Sequence, residues 1–220
     1  MKQTLMLFLC FLTVTIMNGQ IINCIGIKDG FSLANQTWYY KSINLTFKKA
    51  NRIGLYSTIS LDFFNLKYLN LTTDVGYCQK GSMETIPIIQ SPTGEDLWYN
   101  NFNYLIFSPL LKVKYTTTHF IPYVLLGLRL DYQLSYKTAI NISPLENDIN
   151  KNIYGMNCGV GIEFKFNNIG IFNEFQYQND FTYVIDSPPS YHYTGLRITN
   201  KAYIISSGVK YYFSKKARMK

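Results

Sequence analysis

Residues 199–213, TNKAYIISSGVKYYF, alternate between two kinds of side chain at every second position. The apolar parity comprises Tyr203, Ile205, Val209, Tyr211 and Phe213, whereas the opposite parity comprises Ala202, Ser206, Gly208 and Lys210. Only Ser207 interrupts the apolar side. A period of two is that of a β-strand, in which successive side chains point to opposite faces of the sheet. This segment is therefore predicted to be a strand with one apolar face and one small, polar face.

Seven further segments complete a predicted set of eight strands. Six of them repeat the alternation: 24–34, 53–64, 69–80, 120–134, 154–166 and 169–178. The segment 102–113 is apolar on both parities and contains Pro109, so it is assigned as a strand by its position in the chain. The connections alternate between long ones of about 18–21 residues and short ones of about 2–6 residues. This alternation predicts an all-β, eight-stranded antiparallel up-and-down barrel with its long loops at one end.

Aromatic side chains on the apolar parity fall at two levels of the predicted barrel. Beside the long loops lie Tyr77, Tyr132, Tyr154, Tyr177 and Tyr203; beside the short turns lie Phe63, Phe120, Phe164, Phe166, Tyr211 and Phe213. Two such bands are typical of a barrel that crosses a membrane, because amphipathic rings favour the level of the lipid headgroups. We therefore expect a transmembrane β-barrel with four long outer loops and three short periplasmic turns.

The polar parity carries five cations and five carboxylates. The interior of an eight-stranded barrel is only wide enough for side chains to fill it, so an unpaired charge there would be costly. We expect these residues to form a structural network of ion pairs in the lumen rather than a path for solutes. The predicted network comprises Lys28, Asp62, Asp74, Lys80, Arg129, Asp131, Glu163, Lys165, Glu174 and Lys210.

The two ends of the chain differ from the barrel segment. A positive start, Met1-Lys2, precedes the apolar run 4–17, which is shorter than the roughly 20 residues that a membrane-spanning helix needs. Basic residues follow the last strand. We expect a signal peptide at 1–19, an outer-membrane β-barrel domain at 20–213 and a basic C-terminal tail at 214–220.

The formal net charge is +8, and the balanced lumen does not account for it. Part of the excess lies in the first long loop, which contains Lys41, Lys48, Lys49 and Arg52. A basic outer loop could meet anionic lipopolysaccharide, although a solvated run of charges is the more common explanation. Nucleic acid is not an expected partner, because the predicted signal peptide exports the chain.

The last strand places Ser206 two residues before Gly208, which is followed by Tyr211 and Phe213. This arrangement resembles the assembly signal that closes many bacterial outer-membrane barrels, although here a basic tail follows Phe213.

The chain as a whole, from Gly26 to Phe213, resembles the PorT-like family of small outer-membrane β-barrel proteins, often labelled "porin family", from Gram-negative bacteria. The matching pieces are GIKDG at 26–30, DVGYCQKG at 74–81, PYVLLG at 122–127, GVG at 159–161 and GVKYYF at 208–213. Asp29 and Ser108-Pro109 depart from the family pattern. The resemblance implies residence in the cell outer membrane, and because the family's best-known member supports protein secretion, secretion-system proteins are expected as partners. The terminal motif makes the barrel-assembly machinery a further expected partner. The resemblance implies no common activity, so no functional residue is carried over.

Residues suited to catalysis are few. His119 lies in a short connection, and His192 lies in the last long loop near Asp186 and Ser190, which suggests a hydrolase site without the turn that such sites use. Three scattered cysteines after the signal peptide match neither a disulfide framework nor a metal site. We expect no enzyme activity, no cofactor and no metal.

Two other functions remain open from the sequence. A secreted lipocalin-like calyx also has eight strands, but it would turn its apolar face inward around a small ligand. A narrow solute or ion pore would use the same wall as a membrane barrel. Alternation alone does not tell the inside from the outside, so the glycine-rich polar parity, the aromatic bands and the terminal motif favour the membrane barrel.

Overall fold

Hydrogen bonds between the first and last strands close the sheet into a barrel. In the computed structural model, β1 (Ile22–Tyr40) pairs with β10 (Leu196–Tyr212) in antiparallel fashion from Cys24↔Tyr212 to Tyr40↔Leu196. The structure describes residues 22–64, 66–87, 95–117, 120–138, 148–190 and 194–213. The predicted signal peptide and the basic tail at 214–220 lie outside these ranges.

Eight strands form the wall, and two short strands extend it at the outer end. The wall strands between β1 and β10 are β3 (Arg52–Phe63), β4 (Leu69–Pro87), β5 (Glu95–Lys114), β6 (Ile121–Thr138), β7 (Asn152–Phe166) and β8 (Ile169–Asp180). The short strand β2 (Leu45–Lys48) pairs with the outer end of β1, and β9 (Ile185–Asp186) pairs with that of β10. Each wall strand pairs with its neighbour in the chain, so the predicted up-and-down topology is confirmed.

The strands are staggered around the barrel. Starting at Cys24 and following paired residues once around the wall leads back to Ala34, ten residues farther along β1. The path runs through Asp62, Thr72, Leu110, Gly127, Asn157, Gln178 and Ala202. A closed sheet needs such a stagger because its strands tilt against the barrel axis.

Short turns and both described ends of the chain lie at one end of the barrel. The amide N–H of Phe213 donates to the carbonyl of Asn23 at 3.0 Å, which holds the two ends together. The tightest turn is Asn167-Asn168 between β7 and β8, and Asn167 adopts a φ of 52°. Asparagine tolerates this left-handed backbone, which a two-residue hairpin requires.

The apolar parity of the wall faces outward. Leu126 and Leu128 on β6 are 58% and 64% exposed, whereas Arg129, the next residue on the same strand, is 2% exposed. The same contrast holds on β7, where Val160 is exposed and Glu163 is buried. A ligand-binding calyx has the opposite arrangement, so the lipocalin-like alternative is wrong. Within the described ranges, the chain forms no helix with the length and apolar character of a membrane span.

The register of β5 is the feature that alternation did not predict. Its inward residues are Phe102, Tyr104, Ile106, Ser108, Leu110 and Lys112, all buried. Large apolar side chains therefore occupy both faces of this strand: Leu105 and Phe107 point outward and are exposed. Pro109 pairs with Thr73 on β4, but no residue of β6 pairs with Pro109 on the other side.

Aromatic side chains surround the outer surface at two levels. Toward the long loops, the ring of Tyr203 lies 5.2 Å from that of Tyr177, measured between centroids. Toward the short turns, the rings of Tyr211 and Phe213 meet edge to face at 5.7 Å. Both Tyr203 and Tyr211 stand on the outward side of β10, separated by eight residues of strand. The barrel therefore carries an apolar belt bounded by aromatic residues, as expected of a wall in contact with lipid.

Candidate functional site

The lumen is the most strongly structured polar region of the protein. Near the short turns, Asp62 lies 3.2 Å from Lys210 and 3.5 Å from Lys112. Lys112 also lies 3.2 Å from Glu163, and the hydroxyl of Tyr212 donates to the same carboxylate. All four charged side chains are buried, because the inward side of the wall surrounds them. This lower cluster contains two cations and two anions and is neutral.

A middle cluster lies farther from the short turns. The ammonium of Lys28 contacts carboxylate oxygens of Asp74 and Glu174, each at 2.6 Å. Glu174 also accepts hydrogen bonds from the Tyr123 hydroxyl and from the Gln176 amide, both at 2.8 Å. One cation therefore serves two carboxylates, and this cluster carries the excess negative charge of the described lumen.

An upper cluster joins β4, β6 and β8 closer to the long loops. Lys80 contacts Asp131 at 2.6 Å, and Arg129 Nε lies 2.8 Å from the same carboxylate. The guanidinium of Arg129 also contacts Asp180. The four side chains alternate in sign, so each charge in this buried chain has an opposite charge beside it.

Amides and then apolar side chains close the lumen beyond the upper cluster. Gln36 donates to Asn200 at 3.0 Å and accepts from Ser82 at 2.8 Å, which links β1, β10 and β4 across the interior. Beyond this layer lies a cluster of buried apolar side chains, here called the apolar plug, which includes Val184 and Ile185 from the last long loop. The buried members of the plug at this end include Trp38, Phe102, Val184, Ile185, Leu196 and Ile198. The described outer loop therefore folds into the mouth of the barrel and covers the charges.

The structure buries nine of the ten predicted network residues and brings them into the three clusters. The exception is Lys165, which corrects the prediction: its side chain is exposed, and its ammonium lies 4.1 Å from the ring centroid of Tyr212. Lys165 lies one residue from the end of β7, where the inward side opens to solvent. The lumen therefore ends at Glu163 on this strand.

Sequence reasoning missed two members of the network, Lys112 and Asp180. Lys112 belongs to β5, whose register the alternation left undetermined, and Asp180 lies two residues beyond the predicted end of β8. Both share the parity of inward residues on their strands, so a longer strand prediction would have included Asp180. The described lumen holds five cations and six carboxylates.

The residues of the predicted assembly motif lie at the seam between β10 and β1. Ser206 is buried opposite Gly30, and Gly208 pairs with Lys28. Tyr211 and Phe213 point outward and are half exposed in the lower aromatic band. The motif therefore has a structural position at the closing edge of the barrel.

The outer rim holds an ion cluster outside the wall. Asp186 contacts Lys41 at 2.6 Å and Arg197 at 3.2 Å, and the guanidinium of Arg197 lies over the Tyr183 ring. Partial burial raises the pKa of Asp186, but the hydrogen bonds from Lys41 and Arg197 outweigh it and hold this pKa below its usual value. Asp186 is thus tied into a structural cluster.

The predicted catalytic candidates are not brought together by the described residues. His119 and His192 lie outside them, and Ser190 is exposed in the last long loop. Among the side chains that the structure describes, no group of three histidine, cysteine or acidic residues is placed to hold a metal ion. The cysteines Cys24, Cys78 and Cys158 are unpaired thiols.

Comparison with known proteins agrees with the geometry of the wall. No protein-family model matches the sequence, and no curated protein matches it at a significant level. Among solved structures, the chain is similar to the outer membrane protein OprG from Pseudomonas aeruginosa, with a TM-score of 0.53 and 13% identity over 89% of this chain and 99% of OprG. It is also similar to the outer membrane protein AlkL, solved in lipid bilayers, with a TM-score of 0.50 and 12% identity over 91% of this chain and 94% of AlkL. At such identities the likeness establishes the fold: this chain is folded as a small outer-membrane β-barrel.

Proposed function

We propose that this protein is a non-enzymatic integral protein of the cell outer membrane with a structural or interaction role. One observation carries the proposal: large apolar side chains cover most of the outward face of the wall, while eleven charged side chains of the described residues are buried inside it. Such a surface does not suit a soluble monomer, because water would contact an extensive apolar belt that only a few polar side chains interrupt, among them Asp29, Ser57, Asn173 and Ser207. A bilayer about 25 Å thick in its hydrocarbon region covers the belt between two aromatic bands.

The lumen supports a barrel that does not conduct. Three ion-pair clusters cross the interior, and the apolar plug with Val184 and Ile185 covers the outer mouth. Opening a path would separate buried charges from their partners, which is strongly unfavourable in a low-dielectric interior. A narrow pore is therefore the weaker alternative for this chain.

The partners follow from the position of the barrel and the resemblance. Outer-membrane lipid surrounds the belt, and lipopolysaccharide is the expected neighbour of the basic outer rim. Insertion by the barrel-assembly machinery is supported by the location of Ser206, Gly208, Tyr211 and Phe213 at the closing strand. Contact with secretion-system proteins rests on the PorT-like resemblance alone. Binding to nucleic acid has no supporting feature.

Non-enzymatic function is proposed on the chemistry of the described residues. Asp186, the acidic member of the suggested hydrolase set, is held by two cations at the rim rather than directed at a hydroxyl. The lumen carboxylates are engaged with buried lysines and an arginine. A hydrolase requires a nucleophile within hydrogen-bond reach of a base, and Asp186 supplies neither part.

Fractionation of the expressing cells tests the proposal directly. We expect the protein to stay with the membrane through a carbonate wash and to shift in gel mobility on boiling, as a folded barrel does. Recovery of folded protein in the periplasmic or culture supernatant fraction would contradict it. Reconstitution of purified protein in a planar bilayer then separates the two membrane functions: a sealed barrel gives no conductance steps, whereas regular steps would establish the pore.

A further inference from the structure

The barrel wall is irregular between β3 and β4 at its outer end. The ladder joining the two strands runs from Phe63↔Leu71 to Tyr56↔Cys78, and a single bridge between Ala50 and Met83 closes it farther out. Between these two points, residues 51–55 face residues 79–82, so one side has an extra residue. An extra residue makes a bulge, which bends the strand and redirects its side chains.

A side-chain contact replaces a ladder bond inside this bulge. The amide N–H of Leu55 donates to Gln79 Oε1 at 3.1 Å, and the Gln79 amide nitrogen donates to the Tyr77 hydroxyl at 2.8 Å. The space beyond these bonds is a cavity of about 500 Å³, here called the wall pocket. It is lined by Asn51, Arg52, Ile53, Met83 and Tyr99. Ile53 and Tyr99 are exposed on the outer surface of the barrel, so the pocket opens to that surface.

The wall pocket lies at the outer edge of the outer aromatic band. Tyr77 of that band pairs with Ser57 on β3. Ile53 lies four residues beyond Ser57 toward the outer end of the same strand. Because aromatic bands mark the level of the headgroups, the pocket faces the headgroup region of the outer leaflet.

Arg52 gives the pocket a cation without a counter-ion. Its Nη1 atom is buried and has no hydrogen-bond partner, and Arg52 has no ion pair among the described residues. The nearby cation Lys49 differs in this respect, because Glu84 contacts it at 2.5 Å. Asn51 accepts a hydrogen bond from Asn35 through its side-chain oxygen, which leaves its amide nitrogen as a donor. A partly buried guanidinium beside an amide donor favours a phosphate or another oxyanion, which guanidinium binds through two parallel hydrogen bonds.

We propose that the wall pocket binds the phosphate-bearing headgroup of an outer-leaflet lipid. The phosphate lies against Arg52 and the Asn51 amide, and an acyl chain lies along the exposed outward side chains of Ile53 and Leu55. The proposal rests on the placement of the barrel in the outer membrane, which orients the pocket toward lipid. The proposal predicts one specific lipid site. A basic rim acting through its charge alone would instead attract many phosphates weakly.

The test uses the full mature chain, purified in an uncharged maltoside detergent, with lipid A as the probe. Native mass spectrometry counts the lipid A molecules retained and gives their affinity for the wild type, Arg52→Gln and the control Arg197→Gln. We expect one lipid A to be retained by the wild type, a loss of affinity of about tenfold or more in Arg52→Gln, and a change within about twofold in Arg197→Gln. Arg197 is the matched control because it is a second arginine near the outer rim that lies outside the pocket.

Three outcomes would contradict the proposed lipid site. Equal affinity of the wild type and Arg52→Gln would remove Arg52 from binding, and an equal loss in Arg197→Gln would mean attraction by general charge. Inorganic phosphate that binds as tightly as lipid A would show that acyl contacts contribute nothing and that a lipid is not the occupant. Boiled and unboiled samples on a gel distinguish failure of the lipid site from failure of the proposed membrane barrel. A heat-dependent shift in mobility that is retained in Arg52→Gln shows an intact barrel even if lipid binding is lost.

Discussion

The ammonium of Lys28 lies 2.6 Å from a carboxylate oxygen of Asp74, and the two residues come from strands that are not neighbours in the wall. Glu174 approaches the same ammonium at the same distance from the opposite side of the lumen. One side chain therefore ties three wall strands together across the interior. Substituting Lys28 therefore measures how much the buried charges contribute to stability.

Lys28→Met should strongly destabilise the barrel. The substitution keeps the length of the side chain but leaves Asp74 and Glu174 buried without their cation, for which a cost of about 3–5 kcal/mol in the free energy of unfolding is expected. Urea unfolding of protein folded into lipid vesicles, followed by tryptophan fluorescence, measures the change. Lys201→Met is the control, since Lys201 is exposed on the outer side of β10; it should shift the free energy by about 0.5 kcal/mol or less. Equal effects of the two substitutions would argue against a stabilising lumen network.

Ile204→Ala and Ile205→Ala should differ, although the two residues are neighbours on β10. Ile204 is fully buried inside the barrel, whereas Ile205 is 54% exposed on the belt. Truncating Ile204 leaves an internal cavity and should cost about 2–4 kcal/mol in the free energy of unfolding. Truncating Ile205 exchanges a protein–lipid contact for another lipid contact and should cost clearly less. The same urea titration provides the comparison, and a reversed order would contradict the assignment of the two faces.

Gly208→Val should impair folding of the purified protein even when no assembly machinery is present. A Cβ atom at Gly208 would lie 2.5 Å from the carbonyl oxygen of Ile27 and 2.8 Å from Lys28 Cβ, and it would also collide with the Phe172 ring. The glycine thus lets β10 close against β1 beside the buried lysine. Refolding from urea into detergent, scored by the gel shift on boiling, measures the yield.

Ser207→Val provides the control for this glycine, because Ser207 is exposed on the outer side of the same strand. We expect it to refold with a yield close to that of the wild type. If Gly208→Val also refolded normally, the glycine would act only as part of a recognition motif, and the packing explanation would be rejected.

Asp186 should titrate below the usual aspartate value of about 3.9. Hydrogen bonds from Lys41 and Arg197 favour its charged form in the folded protein, so its contribution to stability is present above the unfolded pKa and is lost as the pH falls through the lower folded pKa. The side-chain carboxyl carbon signal of Asp186, followed by NMR during acid titration, reports the midpoint. Lys41→Met should move that midpoint upward, and an unchanged midpoint would exclude the ion pair in solution. Lys151→Met, at an exposed lysine of the same end, serves as the control.

Strand alternation was sufficient to predict most of the lumen. On β1, β3, β4, β6 and β10 the period of two has few interruptions, so parity alone selected Lys28, Asp62, Asp74, Arg129 and Lys210 as one face. The method failed on β5, where both faces carry large apolar side chains, and Lys112 was missed as a consequence. It also failed at strand ends: Lys165 was included although its strand ends one residue later, and Asp180 was excluded although its strand continues to it.

The amino-acid sequence by itself determined that eight strands follow one another, that long and short connections interleave and that seven of the strands have one apolar and one small or ionic face. These are local properties, because the side-chain period and the turn residues depend only on neighbours in the chain. The tertiary structure alone decided which face is inside, which cation meets which carboxylate and where the wall bulges beside Arg52. Closure of the barrel sets these features: contacts between Lys28 and Glu174, 146 residues apart, exist only after the last strand has paired with the first.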